Sequence, residues 1–132
     1  MERIKLVLID DELEFVKALS DYFRIRGYQV AVALRAGSGL SLIRERQPDV
    51  VLMDLKMPGM DGDEALALIR QQSPRTNVII ISAYDDHGAT RDRLLALGAF
   101  AHFDKPLASI RLLAKTVAQA AGRGPHEGSA GQ

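Results

Sequence analysis

Val50-Val51-Leu52-Met53 is a run of four apolar residues with no polar residue between them, and Asp54 follows it directly. A strand packed on one face only would alternate apolar with polar residues. An unbroken run bounded by turn residues therefore reads as a strand covered on both faces. Covering both faces of a sheet in a chain of 132 residues requires helices above and below it, which points to an α/β layer architecture. An unpartnered charge inside such a strand would cost several kcal/mol. Asp54 is therefore expected at the strand's end, where the backbone surfaces into the turn at Pro58-Gly59.

The same pattern recurs along the chain. Ile4-Lys5-Leu6-Val7-Leu8-Ile9 runs into Asp10-Asp11, Gln29-Val30-Ala31-Val32-Ala33 forms a second strand, and Asn77-Val78-Ile79-Ile80-Ile81 ends in Ser82. Ala101-His102-Phe103-Asp104 is a weaker fifth strand, followed by Lys105-Pro106. Between the strands the apolar period becomes helical. Val16, Leu19 and Phe23 share a face that stops at Gly27, and Ser38 is expected to cap a short helix carrying Leu40 and Ile43 before Pro48. Asp61 and Glu64 have capping-box spacing for a helix bearing Leu66 and Ile69, which Ser73-Pro74 breaks. A helix around 90–97 closes at Gly98, and Ile110, Leu113, Ala114, Val117 and Ala121 mark the last one. Five strands alternating with five helices predict a doubly wound five-stranded parallel sheet with right-handed crossovers. Function in such sheets gathers at the carboxyl ends of the strands. That places Asp10, Asp11, Asp54, Ser82 and Lys105 on one edge.

Composition narrows the classes. Lysine plus arginine (17) balances aspartate plus glutamate (17), so no global charge argues for nucleic acid or an anionic membrane. The absence of cysteine removes disulfides and thiolate metal sites. With no apolar segment long enough to span a bilayer, a cytoplasmic location is expected. Residues 1–121 form one domain; residues 122–132 contain no core former and read as a flexible tail or interdomain linker.

Three carboxylates at one edge repel one another unless a cation joins them or one holds a proton. A hard divalent ion such as Mg²⁺ meets that need, and the lack of cysteine and of a suitably placed histidine favours it over zinc. Lys105 adds a positive charge and Ser82 a hydroxyl donor, and together they form a cradle for a phosphoryl group on Asp54. Taken singly, each residue has a plainer role. Asp10 or Asp11 can cap the first helix, Ser82 can be a turn residue, and Lys105, His87 and His126 can be solvated. Only their convergence from four strands favours a site.

The segments Leu8-Ile9-Asp10-Asp11-Glu12, Val50 through Gly62, Ile80-Ile81-Ser82-Ala83, and Gly98-Ala99 leading to Lys105-Pro106 together resemble the receiver domain of response regulators. The resemblance covers roughly residues 4–121. It implies the flavodoxin-like strand order 2-1-3-4-5. It also implies that Asp54 is the phosphoacceptor, charged by a sensor histidine kinase or a histidine phosphotransfer protein. Asp10, Asp11, Asp54 and the main-chain carbonyl of Lys56 would hold Mg²⁺, with Mn²⁺ as an alternative. Lys105 would pair with the phosphoryl group and join Pro106 through a cis peptide. Ser82 and the adjacent Ala83 would close on the phosphate, and the surface of the fourth helix, fifth strand and fifth helix would report it. Downstream, the resemblance implies an effector domain or a second receiver copy, with no direct contact to nucleic acid or membrane.

Three positions depart from the commonest family pattern. His102 stands where an aromatic residue usually partners the switch hydroxyl. Lys56 follows the phosphoacceptor by two residues and Tyr84 follows Ser82 by two, and the resemblance implies that both would border the path of attacking water. Three other classes are weighed against this one. A haloacid-dehalogenase-like phosphatase would carry a second acid where Lys56 stands, and a nucleotide-binding module would carry a glycine-rich turn where Asp10-Asp11-Glu12-Leu13 stands. An interaction-only receiver would have lost an acid or the lysine. Tyr84→Ala is expected to shorten the phosphorylated lifetime, because the ring shields the acyl phosphate; an unchanged dephosphorylation rate would overturn that role.

Overall fold

The computed structural model describes residues 3–59, 61–83 and 87–122. Ten elements alternate along the chain: β1 (Lys5–Ile9), α1 (Leu13–Ile25), β2 (Gln29–Ala33), α2 (Ala36–Arg46), β3 (Val50–Met53), α3 (Gly62–Gln72), β4 (Asn77–Ser82), α4 (Ala89–Ala96), β5 (Ala101–Asp104) and α5 (Ile110–Ala120). The strands form one sheet in the order β2-β1-β3-β4-β5, and every pairing is parallel. This is the doubly wound fold the sequence predicts. The tail at residues 123–132 lies outside the described residues.

Successive strand residues point to opposite faces, and the core divides accordingly. Leu6, Leu8, Val50, Leu52, Ile79 and Ile81 pack with Val16, Leu19 and Phe23 of α1 and Leu113 and Val117 of α5. Val7, Ile9, Val51, Met53, Val78 and Ile80 pack with Ile43 of α2, Leu66 and Ile69 of α3, and Leu94 of α4. β3 is buried along its whole length. Its unbroken apolar run is the direct result of having a core on each side.

Local chemistry sets several helix ends. Gly27, at φ +92°, follows the C-cap of α1 in a left-handed conformation that glycine adopts without steric cost. Asp61 Oδ1 accepts the backbone N–H groups of Asp63 and Glu64, at 2.9 and 3.2 Å, and so caps α3. Ser109 caps α5 by accepting from Leu112 N–H at 3.0 Å. Ser38 does not cap α2. The helix begins at Ala36, and the Ser38 hydroxyl donates back to the Arg35 carbonyl at 3.2 Å from within the first turn. A hydroxyl can bond backward as well as forward, so the serine alone did not fix the start.

Gly39 shows why α2 lies so close to β1. A Cβ built there would sit 2.5 Å from Ile9 Cδ1 and 2.7 Å from Ile9 Cγ1. Ile9 is buried and immediately precedes Asp10. Overpacking of this kind costs about 1–3 kcal/mol, which exceeds the helix-propensity gain of about 1 kcal/mol. Gly39→Ala is therefore expected to lower the urea midpoint with an unchanged m value, and an unaltered or raised midpoint would contradict the contact.

Candidate functional site

Four strand ends converge on one edge. Asp10 follows β1, Asp54 follows β3, Ser82 is the last residue of β4, and Lys105 follows β5. Backbone bonds extend the ladder past the strands. Asp10 N–H donates to Ala33 O at 3.1 Å, Asp54 N–H to Ile9 O at 3.0 Å, and Lys105 N–H to Ser82 O at 3.1 Å. The functional side chains are thus fixed by the sheet rather than by flexible loops.

Asp54 does sit at the strand's end, but it is buried rather than surfacing with the chain: Asp54 and Asp10 are each 5% exposed. What stabilises it is a partner distant in sequence. The Lys105 ammonium lies 2.8 Å from Asp54 Oδ2 and 2.7 Å from Asp10 Oδ2, and it also bonds Glu12 Oε1. The remaining aspartate oxygens are held by the main chain. Asp54 Oδ1 accepts Lys56 N–H at 2.8 Å, and Asp10 Oδ1 accepts Glu12 N–H at 2.9 Å. The Lys56 ammonium reaches the Ala83 carbonyl, 3.2 Å away, and so links the loops after β3 and β4.

Burial alone would lower the Lys105 pKa, but its hydrogen bonds to Asp10, Asp54 and Glu12 outweigh burial and hold it well above the usual lysine range. For Asp10 the balance runs the other way. Burial, the largest influence, raises its pKa, and the Asp54 charge adds to the rise; the bonds from Lys105 and Glu12 N–H and the Lys105 charge offset this only in part. One ammonium thus leaves Asp10 under-compensated.

Glu12 joins Asp10 and Asp54 around the Lys105 ammonium. Oxygens of Asp10, Glu12 and Asp54 lie within 4.8 Å of one another, close enough to share one cation. Asp11 is exposed and instead borders an open cleft of about 510 Å³ with Arg35, Met57 and Pro58. Glu12, which from the sequence marks only the start of the first helix, is its N-cap, and its carboxylate turns toward Lys105. The available signal was the run of three acids ending the first strand.

Ser82 is fully buried, and its hydroxyl has no hydrogen-bond partner among the described residues. A buried hydroxyl left unbonded is unfavourable and calls for a ligand or water. Ala83, next to it, is exposed. His102 pairs in register with Ile80, and its side chain is 5% exposed. Its neighbours Ala101 and Phe103 pack toward α1 and α5, so the imidazole faces the α3–α4 side. Its Nδ1 lies 3.9 Å from Asp104 Oδ1, beyond hydrogen-bond range. The Lys105–Pro106 peptide is cis. Tyr84 lies outside the described residues.

Residues 6–117 match the family model of the response regulator receiver domain. The chain belongs to the response regulator receiver family. This receiver is 34% identical over 102 residues to sporulation initiation phosphotransferase F of Bacillus subtilis (strain 168), covering 77% of this chain and 82% of that protein. It is 37% identical over 102 residues to regulatory protein AtoC of Escherichia coli (strain K12), of which the receiver spans 22%. Its fold matches the response regulator domain of Thermotoga maritima CheB with a TM-score of 0.81 at 27% identity, covering 94% of this chain and 100% of that chain. The Francisella response regulator 1452 receiver domain gives a TM-score of 0.82 at 30% identity, covering 92% of this chain and 98% of that chain. Among the described residues of this receiver, no helix is long and apolar enough to cross a membrane.

Because folding raises the Asp10 pKa, the folded receiver binds that proton more readily than the unfolded chain. Ionising Asp10 therefore costs stability as the pH rises from its unperturbed 3.8 through the raised value, and the cost is present in full above that value. Asp10→Asn is expected to raise Tm in chelator at neutral pH, with the gain shrinking on acidification. A Tm lowered at both pH values would show that the Lys105 contact outweighs burial.

Proposed function

We propose that Asp54 accepts a phosphoryl group from a phosphohistidine on a sensor histidine kinase or a histidine phosphotransfer protein. The observation that carries this reading is the Lys105 ammonium on Asp54 Oδ2, 2.8 Å away, at an edge where it is shared by two further carboxylates. The unbonded Ser82 hydroxyl at the end of the next strand supports it.

In the transfer, an Asp54 oxygen attacks phosphorus and the N–P bond to the donor imidazole breaks. The ring nitrogen keeps that electron pair. Lys105 exchanges a carboxylate oxygen for a phosphoryl oxygen, which conserves a charge-assisted hydrogen bond. Ser82 donates to a second phosphoryl oxygen and draws Ala83 with it. His102, buried on the α3–α4 side, is the switch partner that repacks as the hydroxyl moves. Lys56 and Tyr84, two residues past Asp54 and Ser82 in the sequence, tune the phosphorylated lifetime. The α4–β5–α5 surface reports the change to an effector domain or to a second receiver copy. Phosphorylation and slow dephosphorylation are self-catalysed, and the protein works in the cytoplasm.

Asp10, Asp54 and Asp11, with the Lys56 carbonyl, would hold Mg²⁺ or Mn²⁺, and Glu12 adds a further carboxylate. The donor set fits: three of these carboxylates already converge on one cation, the Lys105 ammonium. The ion, when bound, neutralises charge between the carboxylates and the incoming phosphoryl group.

Incubation with Mg²⁺ and a small phosphodonor is expected to add the mass of one phosphoryl group, and Asp54→Asn should abolish the gain. Ser82→Ala should slow phosphorylation roughly tenfold or more, through loss of one preorganised donor. No mass gain, or a gain that survives Asp54→Asn, would overturn the assignment.

A further inference from the structure

Phe15 is the unassigned neighbour of the site. It lies in the first turn of α1, half-buried against the α1–α5 side of the core, and its ring centroid is 4.6 Å from Lys105 Nζ. The three N–H bonds of that ammonium point to Asp10, Glu12 and Asp54, and the ring lies within cation–π range of the same nitrogen. The Lys105 side chain is only 9% exposed, so the ring acts on a largely desolvated cation, the condition in which such contacts are strongest. Phe15 also lines a void of about 10 Å³ that reaches Asp10 and Asp54, with room for about one water.

We propose that Phe15 is a positioning residue for phosphorylation: its ring face holds the Lys105 ammonium in place while the lysine exchanges a carboxylate oxygen for a phosphoryl oxygen. This rests on the phosphoacceptor reading of Asp54. The distinction from the carboxylates is physical. A hydrogen bond to a carboxylate oxygen is directional and must break before the donor can turn to a new acceptor. Attraction to the face of a ring depends on the charge and hardly on how the three N–H bonds are turned. The ammonium can therefore rotate from Asp54 toward a phosphoryl group without leaving the ring. Because Phe15 sits on α1, the lysine after β5 is registered against the helix that follows Asp10 and Glu12.

Two measurements test this in the full chain. The first uses neither metal nor phosphodonor. The Lys105 ε-methylene protons should resonate upfield of ordinary lysines because of the Phe15 ring current, and Phe15→Leu should return them to the usual position. Unshifted protons in the unsubstituted protein would overturn the contact, whether or not Asp54 takes up a phosphoryl group.

The second replaces Phe15 by mono-, di- and trifluorophenylalanine, which keep the ring's shape while weakening its negative face. The phosphorylation rate with Mg²⁺ and a small phosphodonor should fall stepwise, roughly threefold to tenfold across the series. The series should be flat in a Lys105→Met background. A flat series in a protein that is phosphorylated on Asp54 would overturn the positioning role and leave the phosphoacceptor reading intact. Failure of the unsubstituted protein to gain a phosphoryl group would overturn both that reading and the role resting on it.

Discussion

A parallel sheet sealed on both faces leaves a carboxylate one tolerable place, the end of a strand. The two core clusters meet across β1, β3 and β4, whose buried runs Leu6–Ile9, Val50–Met53 and Val78–Ile81 are apolar throughout. Polar chemistry is therefore pushed to where each apolar run stops. Parallel pairing puts all those stops at the same edge. Asp10, Asp54, Ser82 and Lys105 meet because the strands that carry them are in register, with the ladder continued one residue further by backbone bonds. The site is a geometric consequence of the core.

Bringing acids together at that edge creates an electrostatic problem, which Lys105 answers in part. Its ammonium serves three carboxylates at once, and the pKa values of Lys105 and Asp10 are both raised, for different reasons. The lysine is held firmly charged by its partners, while burial makes Asp10 a reluctant anion. A site in this condition favours additional positive charge and favours giving the lysine an acceptor better placed than a crowded carboxylate. A phosphoryl group on Asp54 together with a divalent ion meets both needs.

The fold could be read from the sequence because its two signals are local and periodic: apolar runs of four to six residues, and helical faces spaced by three and four. Asp10, Asp54, Ser82 and Lys105 were likewise readable, since each ends or follows such a run. Three matters were not. The burial of Asp54 depends on a lysine 51 residues away, and no local pattern encodes that distance. Which two of three consecutive acids reach the lysine depends on the bend at Asp11, after which the exposed Glu12 side chain still extends to the ammonium. The start of α2 was misplaced because a serine hydroxyl near a helix start can bond in either direction. Pairing across the sheet and side-chain direction within a turn are long-range or conformational facts, and single-residue preferences are silent on them.

The bond from Lys105 N–H to the Ser82 carbonyl is one more rung of the ladder. Its position gives it a further meaning. The hydroxyl and the ammonium that would face a phosphoryl group belong to the two residues this rung joins, on neighbouring strands. The bond ties the backbones of these two residues together, so the two donors share one mounting at the edge of the sheet.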